Sequence, residues 1–216
     1  MTEITFFERL KNETASEREY LLTSPVIQQA LAGELSLVRY TSFLTQAYYH
    51  VKHTTPLLMA VGSRLPDSKE WVRDKIAHYI EEEVGHQEWI LNDIAVCGAD
   101  AEAVRYGPPS FATEMMVSYI WDYVARKNPM GFFGMVFVLE GTSVNIATQA
   151  ADGIREHLGL PKKAFSYLYS HGSLDLEHID FFADIVNKID DVNDQNDILH
   201  VAKVIFRLYA DIFRSL

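Results

Sequence analysis

Three residues with metal-binding side chains recur at helical spacing near the end of the chain: His171, Asp175 and His178. At about 100° per residue they fall within an arc of about 60° on one helix face. Neutral imidazole nitrogens and a carboxylate oxygen are ligands that transition metals accept. Apolar residues flank this face: Leu168, Leu174, Phe181 and Phe182. Because polar groups near a core are costly unless they are paired, the pattern favours a metal site over an ordinary surface helix.

A second set of donors lies in the segment from Glu81 to His86. On a continuous helix, Glu82 lies about 40° from His86 and Glu83 lies about 60° from it on the other side. Either carboxylate can therefore share a metal with His86, whereas Glu81 points away and is interpreted as a solvated charge. We predict Glu82 as the ligand and keep Glu83 as its rival.

Glu140 stands alone in an apolar helix that runs from about residue 130 to 158. A carboxylate buried there without a partner would be costly to keep ionised. The alternative is a buried ion pair, but no Arg or Lys occurs in the ten residues before Glu140. The setting therefore favours a ligand that bridges two metal ions. Gly134 and Gly141, one heptad apart, would let another helix or a substrate approach this helix closely.

Four more residues are candidates for the wall of a cleft around such a site: Tyr48, His50, His53 and Phe137. His50 and His53 form H-x-x-H without an accompanying carboxylate. We therefore interpret them as lining the cleft or as hydrogen-bonding a ligand carboxylate or a substrate, and not as metal ligands.

Composition excludes several classes of function. The 216-residue chain has a net charge of −11, so no basic surface is available for nucleic acid or for an anionic membrane. Its one cysteine, Cys97, excludes a disulfide framework and suits a reducing cytosol. We expect no signal peptide, because the first residues lack a basic segment followed by an apolar one, and no apolar run reaches the roughly 18–20 residues of a membrane span. We expect a cytoplasmic protein without a membrane or nucleic-acid partner.

The spacing of apolar residues predicts helices from end to end, with no alternating pattern typical of strands. The predicted fold is all-α, a single-domain bundle of about seven or eight helices over residues 1–216. Pro56 is expected to kink one of them. The predicted helices cover about 3–14, 25–32, 36–64, 68–97, 110–126, 130–158, 162–190 and 194–214.

Three motifs resemble those of the haem-oxygenase-like di-metal oxidases, the iron-containing redox enzymes related to the TenA and PqqC group. They are E-E-x-G-H-x-x-W at Glu82 to Trp89, L-E-G-T-S at Leu139 to Ser143, and H-x-x-x-D-x-x-H at His171 to His178. The resemblance covers nearly the whole chain and implies a haem-oxygenase-like fold. It also implies six metal ligands: Glu82 (or Glu83), His86, Glu140, His171, Asp175 and His178.

The resemblance further implies two transition-metal ions, iron or manganese, and an oxidase or oxygenase that uses O₂. The substrate would be a small amphipathic metabolite such as an amino acid or a fatty acid derivative. No haem is expected, because no histidine precedes His50 to serve as its proximal ligand. Two alternatives stay open: a metal-free TenA-like hydrolase or salvage enzyme, and a non-catalytic helical protein that binds a ligand or partner. A homodimer is one option for the oligomeric state.

Overall fold

The computed structural model describes the backbone of residues 4–216, and all side chains in that range except those of residues 172–178. Asp175 and His178 therefore lie outside the described side chains. All regular secondary structure in the described residues is helical, which confirms the all-α prediction. Its helices are α1 (Phe6–Glu13), α2 (Ala15–Leu22), α3 (Pro25–Leu31), α4 (Leu37–Val51), α5 (Thr54–Arg64), α6 (Glu70–Glu83), α7 (His86–Val96), α8 (Ala101–Tyr106), α9 (Phe111–Arg126), α10 (Phe132–Leu158), α11 (Ser166–Val186) and α12 (Val192–Arg214).

The described chain has more helices than the sequence predicted, because two long predicted helices are each divided and because α2 and α8 were not predicted. The segment 36–64 ends one helix at Val51 and begins the next at Thr54. Pro56 is the third residue of α5, where a missing N–H costs no helical hydrogen bond. Pro56 therefore does not kink a helix, as was expected. The chain instead breaks between α4 and α5, just before the proline. The segment 68–97 is divided at Val84 and Gly85, and this break shapes the candidate site.

Helix α10 is the centre of the bundle and packs against α11, α12 and α3. Its first half is buried on all sides, including Phe133, Val138 and the backbone of Gly134. By length and composition the segment Pro129–Leu158 could cross a membrane, but 67% of its most apolar window is buried inside the protein. Such burial is what a core helix of a helical bundle shows.

Gly134 is the point where α12 comes closest to α10. A Cβ atom at Gly134 would lie 2.7 Å from the backbone nitrogen of Ala202, and closer still to the carbonyl oxygen of Ile198. A Cβ atom at Gly141 would meet only the Cδ1 atom of Ile179, at 4.0 Å. Gly134 therefore admits a neighbouring helix, whereas Gly141 borders open space.

We expect Gly134→Ala to lower the free energy of unfolding by roughly 2–3 kcal/mol, because backbone atoms of α12 must move to admit the methyl group. Gly141→Ala is the matched control and should raise it by up to about 1 kcal/mol, because alanine is the better helix former. Urea unfolding of both metal-free variants measures the difference. Equal unfolding midpoints for the two variants would show that α10 and α12 are not in close contact at Gly134.

Candidate functional site

A two-residue break between α6 and α7 brings the first pair of donor side chains together. Gly85 has a φ of 96°, in the left-handed region that favours glycine, so α6 ends and α7 begins at once in a new direction. Val84 is 62% exposed, so the break bulges toward solvent. Glu83 is the last residue of α6 and His86 is the first residue of α7. Their side chains consequently turn toward each other on the inner side of the break.

Glu83 and His86 are both buried, and the Nδ1 atom of His86 lies 3.1 Å from the Oε2 atom of Glu83. The angle of this contact is not that of a hydrogen bond, and the His86 Nδ1 atom has no hydrogen-bond partner among the described residues. When two ligand atoms each lie about 2.1 Å from one metal ion and the angle between them at the ion is about 90°, the two atoms are about 3.0 Å apart. The spacing of the two atoms therefore suits a shared metal ion.

The ring of His86 is held from two sides. It stacks on Trp89 with the ring centroids 4.1 Å apart, and it meets the ring of His171 edge to face at 5.1 Å. His171 lies on α11 and also contacts the ring of Tyr167, at 4.7 Å. Two imidazoles from different helices are thereby held in contact next to a buried carboxylate.

A cavity of about 70 Å³ lies between these helices and is large enough for several water molecules. The metal-binding side chains on its wall are those of His50, Glu83, Glu140 and His171. Three tyrosines line it as well: Tyr79, Tyr167 and Tyr209. Two carboxylates and two imidazoles among the described residues of one cavity form a donor set of the kind that iron accepts.

His50 is the cleft candidate that reaches this cavity. Its side chain is 2% exposed, and its Nδ1 atom has no hydrogen-bond partner among the residues whose side chains are described. Burial, together with the nearby His171 and His53, lowers the pKa of His50 to about 3. The imidazole is therefore neutral at pH 7, which is the form that binds metals.

The other three cleft candidates lie elsewhere. His53 accepts a hydrogen bond at Nδ1 from the indole nitrogen of Trp121 at 3.2 Å. The ring of Tyr48 lies beneath the ammonium group of Lys52, whose Nζ atom is 5.2 Å from the ring centroid. Phe137 lines a different cavity, on another face of α10. None of the three is among the described residues that line the donor cavity.

Glu82, which the sequence favoured over Glu83, lies on another side of α6. Its Oε1 atom is 3.3 Å from the Nε2 atom of His78, and its side chain is 33% exposed although its Oε2 atom is buried. The preference for Glu82 assumed one helix running through Gly85, and the break removes that assumption. The described contacts join Glu83, not Glu82, to His86 and to the cavity.

Asp93 is a positioning residue that the sequence analysis missed. Its carboxylate is fully buried and accepts hydrogen bonds from the backbone N–H groups of Ser166 at 3.0 Å and Tyr167 at 2.9 Å. Burial raises the pKa of Asp93, and the hydrogen bonds from Ser166 and Tyr167 oppose the rise. Since these N–H groups begin α11, Asp93 fixes the start of the helix that carries His171. An Asp between the apolar residues Ile90 and Ile94 is the sequence signal that could have found it.

Within the described side chains, no group of three His, Cys, Asp or Glu residues is close enough to hold a metal ion. The donors occur instead as the Glu83–His86 pair, the His86–His171 ring contact, and separate positions on the cavity wall. The residue types and the spacing of Glu83 and His86 fit a metal ion. Two of the six expected ligands, Asp175 and His178, lie outside the described side chains.

Comparison with known proteins points to one fold. A family model described as "iron-containing redox enzyme" matches residues 41–210. A solved domain of unknown function from Shewanella denitrificans is 23% identical, with a TM-score of 0.86 over 99% of this chain and 92% of its own. The haem oxygenase from Leptospira interrogans is 17% identical, with a TM-score of 0.78 over 99% and 100% of the two chains. A TenA homologue from P. horikoshii is 11% identical, with a TM-score of 0.80 over 97% of each chain. These likenesses show a haem-oxygenase-like fold. No curated protein matches significantly.

Proposed function

We propose that this chain, which belongs to the family of iron-containing redox enzymes, is an O₂-dependent oxidase or oxygenase with a non-haem centre of two metal ions, iron or a mixture of iron and manganese. The observation that carries the proposal is the buried contact between Glu83 and His86. The two atoms are 3.1 Å apart, but the angle between them is not that of a hydrogen bond. The cavity that Glu83 shares with Glu140 and His171 supports the same reading.

Glu83, His86, Glu140 and His171 would hold the metal, together with Asp175 and His178 from the sequence motif. We propose Glu83 in place of Glu82, because Glu83 is buried against His86. When bound as ferrous ions, the metal would supply the electrons that activate O₂.

The residues of the chain itself would set the conditions for that chemistry. His50 offers a neutral nitrogen to the cavity, because burial holds its pKa near 3. Trp89 and Tyr167 hold the two imidazole rings in place, and Asp93 fixes the start of α11. Apolar side chains on the cavity wall, such as Phe132 and Met135, keep bulk water from the donors.

The TenA-like alternative is less well supported. A thiol nucleophile would have to be Cys97, but burial and the nearby Asp93 raise the pKa of that thiol to about 11. Cys97 also lies at the end of α7, and it is not among the described residues that line the donor cavity. Because the thiolate is the reactive form, Cys97 is a poor nucleophile at neutral pH. We propose a small-molecule substrate, O₂ as the second substrate, and a cytoplasmic location.

We expect protein loaded anaerobically with ferrous iron to consume O₂ much faster than the same concentration of ferrous iron in buffer. The iron would sit beside several carboxylate and imidazole ligands, which favour its oxidation. An oxygen electrode measures the rate, and zinc-loaded protein is the control because zinc has no redox chemistry. If ferrous-loaded protein consumes O₂ no faster than buffer with iron, the proposed activity is wrong.

A further inference from the structure

Met135 is a buried methionine on the wall of the donor cavity, and it is 2% exposed. It lies near the start of α10, five residues before Glu140, which corresponds to about 7.5 Å of helix rise. Leu139 lies one turn after Met135 and lines the same cavity, so this face of α10 borders the donors. Because the cavity of about 70 Å³ holds only a few waters, Met135 lies close to any ion that the lining donors bind.

Met135 differs chemically from the other apolar residues on this wall. Those residues carry only C–H and C–C bonds: Val51, Leu58, Phe132, Val136 and Leu139. An aliphatic or phenyl group must lose a C–H bond before it can be oxidised. The sulfur of a thioether instead accepts an oxygen atom on a lone pair, and no bond to carbon breaks. Met135 is therefore the apolar group on this wall that is most easily oxidised.

Burial protects Met135 from oxidants that are dissolved in the surrounding water. Met59 and Met115 are 55% and 36% exposed, so a diffusing oxidant meets them first. Met116 and Met130 are as deeply buried as Met135, but neither is among the described residues that line the donor cavity. Oxidation of Met135 ahead of these four methionines therefore requires an oxidant that forms inside the cavity.

We propose that Met135 is a site of self-modification, where the thioether accepts an oxygen atom when O₂ reacts at the iron centre and no substrate is bound. In this form the inference rests on the proposed function. The O–O bond breaks and one S–O bond forms, which gives methionine sulfoxide. The second oxygen atom leaves as water with two protons from solvent. The sulfur supplies two electrons and two ferrous ions supply one each, which accounts for the four electrons that O₂ accepts.

Methionine sulfoxide at position 135 would limit further reaction in the same molecule. The modification makes an apolar side chain polar and adds an atom to it. A cavity of about 70 Å³ has little room for that atom beside ligands such as Glu140. We therefore expect O₂ consumption without substrate to fall as the sulfoxide of Met135 accumulates.

The test compares Met135 with Met130 inside one tryptic peptide. The peptide covers residues 128–155, since Lys127 and Arg155 are consecutive cleavage sites. Protein loaded anaerobically with ferrous iron is exposed to O₂ enriched in the heavy isotope of oxygen, and fragment masses assign sulfoxide to each methionine. Met135 should carry at least about tenfold more labelled sulfoxide than Met130, because Met130 is not among the described residues that line the donor cavity.

Two controls connect the modification to the bound metal. Zinc-loaded protein should show no preference for Met135, because zinc has no redox chemistry. His86→Gln removes a proposed ligand and should lower the yield of Met135 sulfoxide at least about tenfold. His157→Gln makes the same change at an exposed position near the end of α10 and should not lower it. Circular dichroism verifies that both variants are folded.

The inference is wrong if iron-loaded protein consumes O₂ but Met130 and Met135 carry equal amounts of sulfoxide, or if a tyrosine of the cavity is hydroxylated and Met135 is not. Failure of the proposed function has a different signature, which hydrogen peroxide shows. Oxygen transfer from peroxide to sulfur releases water and takes no electrons from iron. If the protein consumes no O₂, peroxide should still modify Met135 ahead of Met130 in iron-loaded protein, but not in metal-free protein. Equal modification of both methionines in iron-loaded protein would overturn the inference as well.

Discussion

Glu140→Gln should bind ferrous iron at least about 100-fold more weakly than the unmodified protein. Glutamine keeps the size of the side chain but removes the negative charge that a metal ligand supplies. Glu140 is buried in the middle of α10 and lines the donor cavity, so no nearby surface carboxylate can replace it. Anaerobic titration against a chromophoric chelator measures the affinity.

Glu114→Gln is the matched control for this variant, because Glu114 lies on the exposed face of α9. It should bind iron as the unmodified protein does. Circular dichroism of the metal-free Glu140→Gln variant verifies that it is folded. If the Glu140 variant keeps its full affinity for iron, Glu140 is not a ligand.

The second prediction separates Glu83 from Glu82. Glu83→Gln should lower the affinity for iron at least about tenfold, because it removes the carboxylate 3.1 Å from the Nδ1 atom of His86. Glu82→Gln should have a smaller effect, because Glu82 pairs with His78 and is not among the described residues that line the donor cavity. The same chelator titration, run on both variants side by side, gives the comparison.

Glu82→Gln and Glu83→Gln change neighbouring residues by the same chemistry, so each is the control for the other. The reverse result, with Glu82→Gln as the damaging change, would assign the ligand to Glu82. If both variants bind iron almost as tightly as the unmodified protein, His86 is the metal ligand that the segment from Glu81 to His86 supplies.

Much of the fold follows from the order of apolar residues along the chain. The run from Phe132 to Leu139 predicts a buried helix, and Glu140 within it predicts a carboxylate near the core. Both features are present in α10. These predictions succeed because burial in a helical bundle depends mainly on which helix faces are apolar.

The break at Gly85 could not be predicted in the same way. A glycine within a helical pattern fits a continuous helix and also a left-handed helix end, and local propensity does not distinguish the two. The choice depends on how α6 and α7 each pack in the bundle. The identity of the carboxylate beside His86 depends on that break, because a turn of two residues changes which of Glu82 and Glu83 lies next to His86.

The roles of Gly134 and Gly141 in α10 could not be assigned from the sequence either. Their spacing of one heptad predicts that something approaches the helix closely at both positions. At Gly134 the neighbour is the backbone of α12, and at Gly141 the neighbouring space is a cavity. Sequence spacing gives the face of a helix but not the element that covers it.

The most direct test of a metal centre in this bundle is the number of ferrous ions that the protein retains. Metal-free protein is loaded anaerobically with ferrous iron, passed through a desalting column under nitrogen, and analysed for iron and protein. A centre built from the donors on α6, α7, α10 and α11 predicts about two ions per chain. Iron at the level of heat-denatured protein carried through the same steps would contradict it.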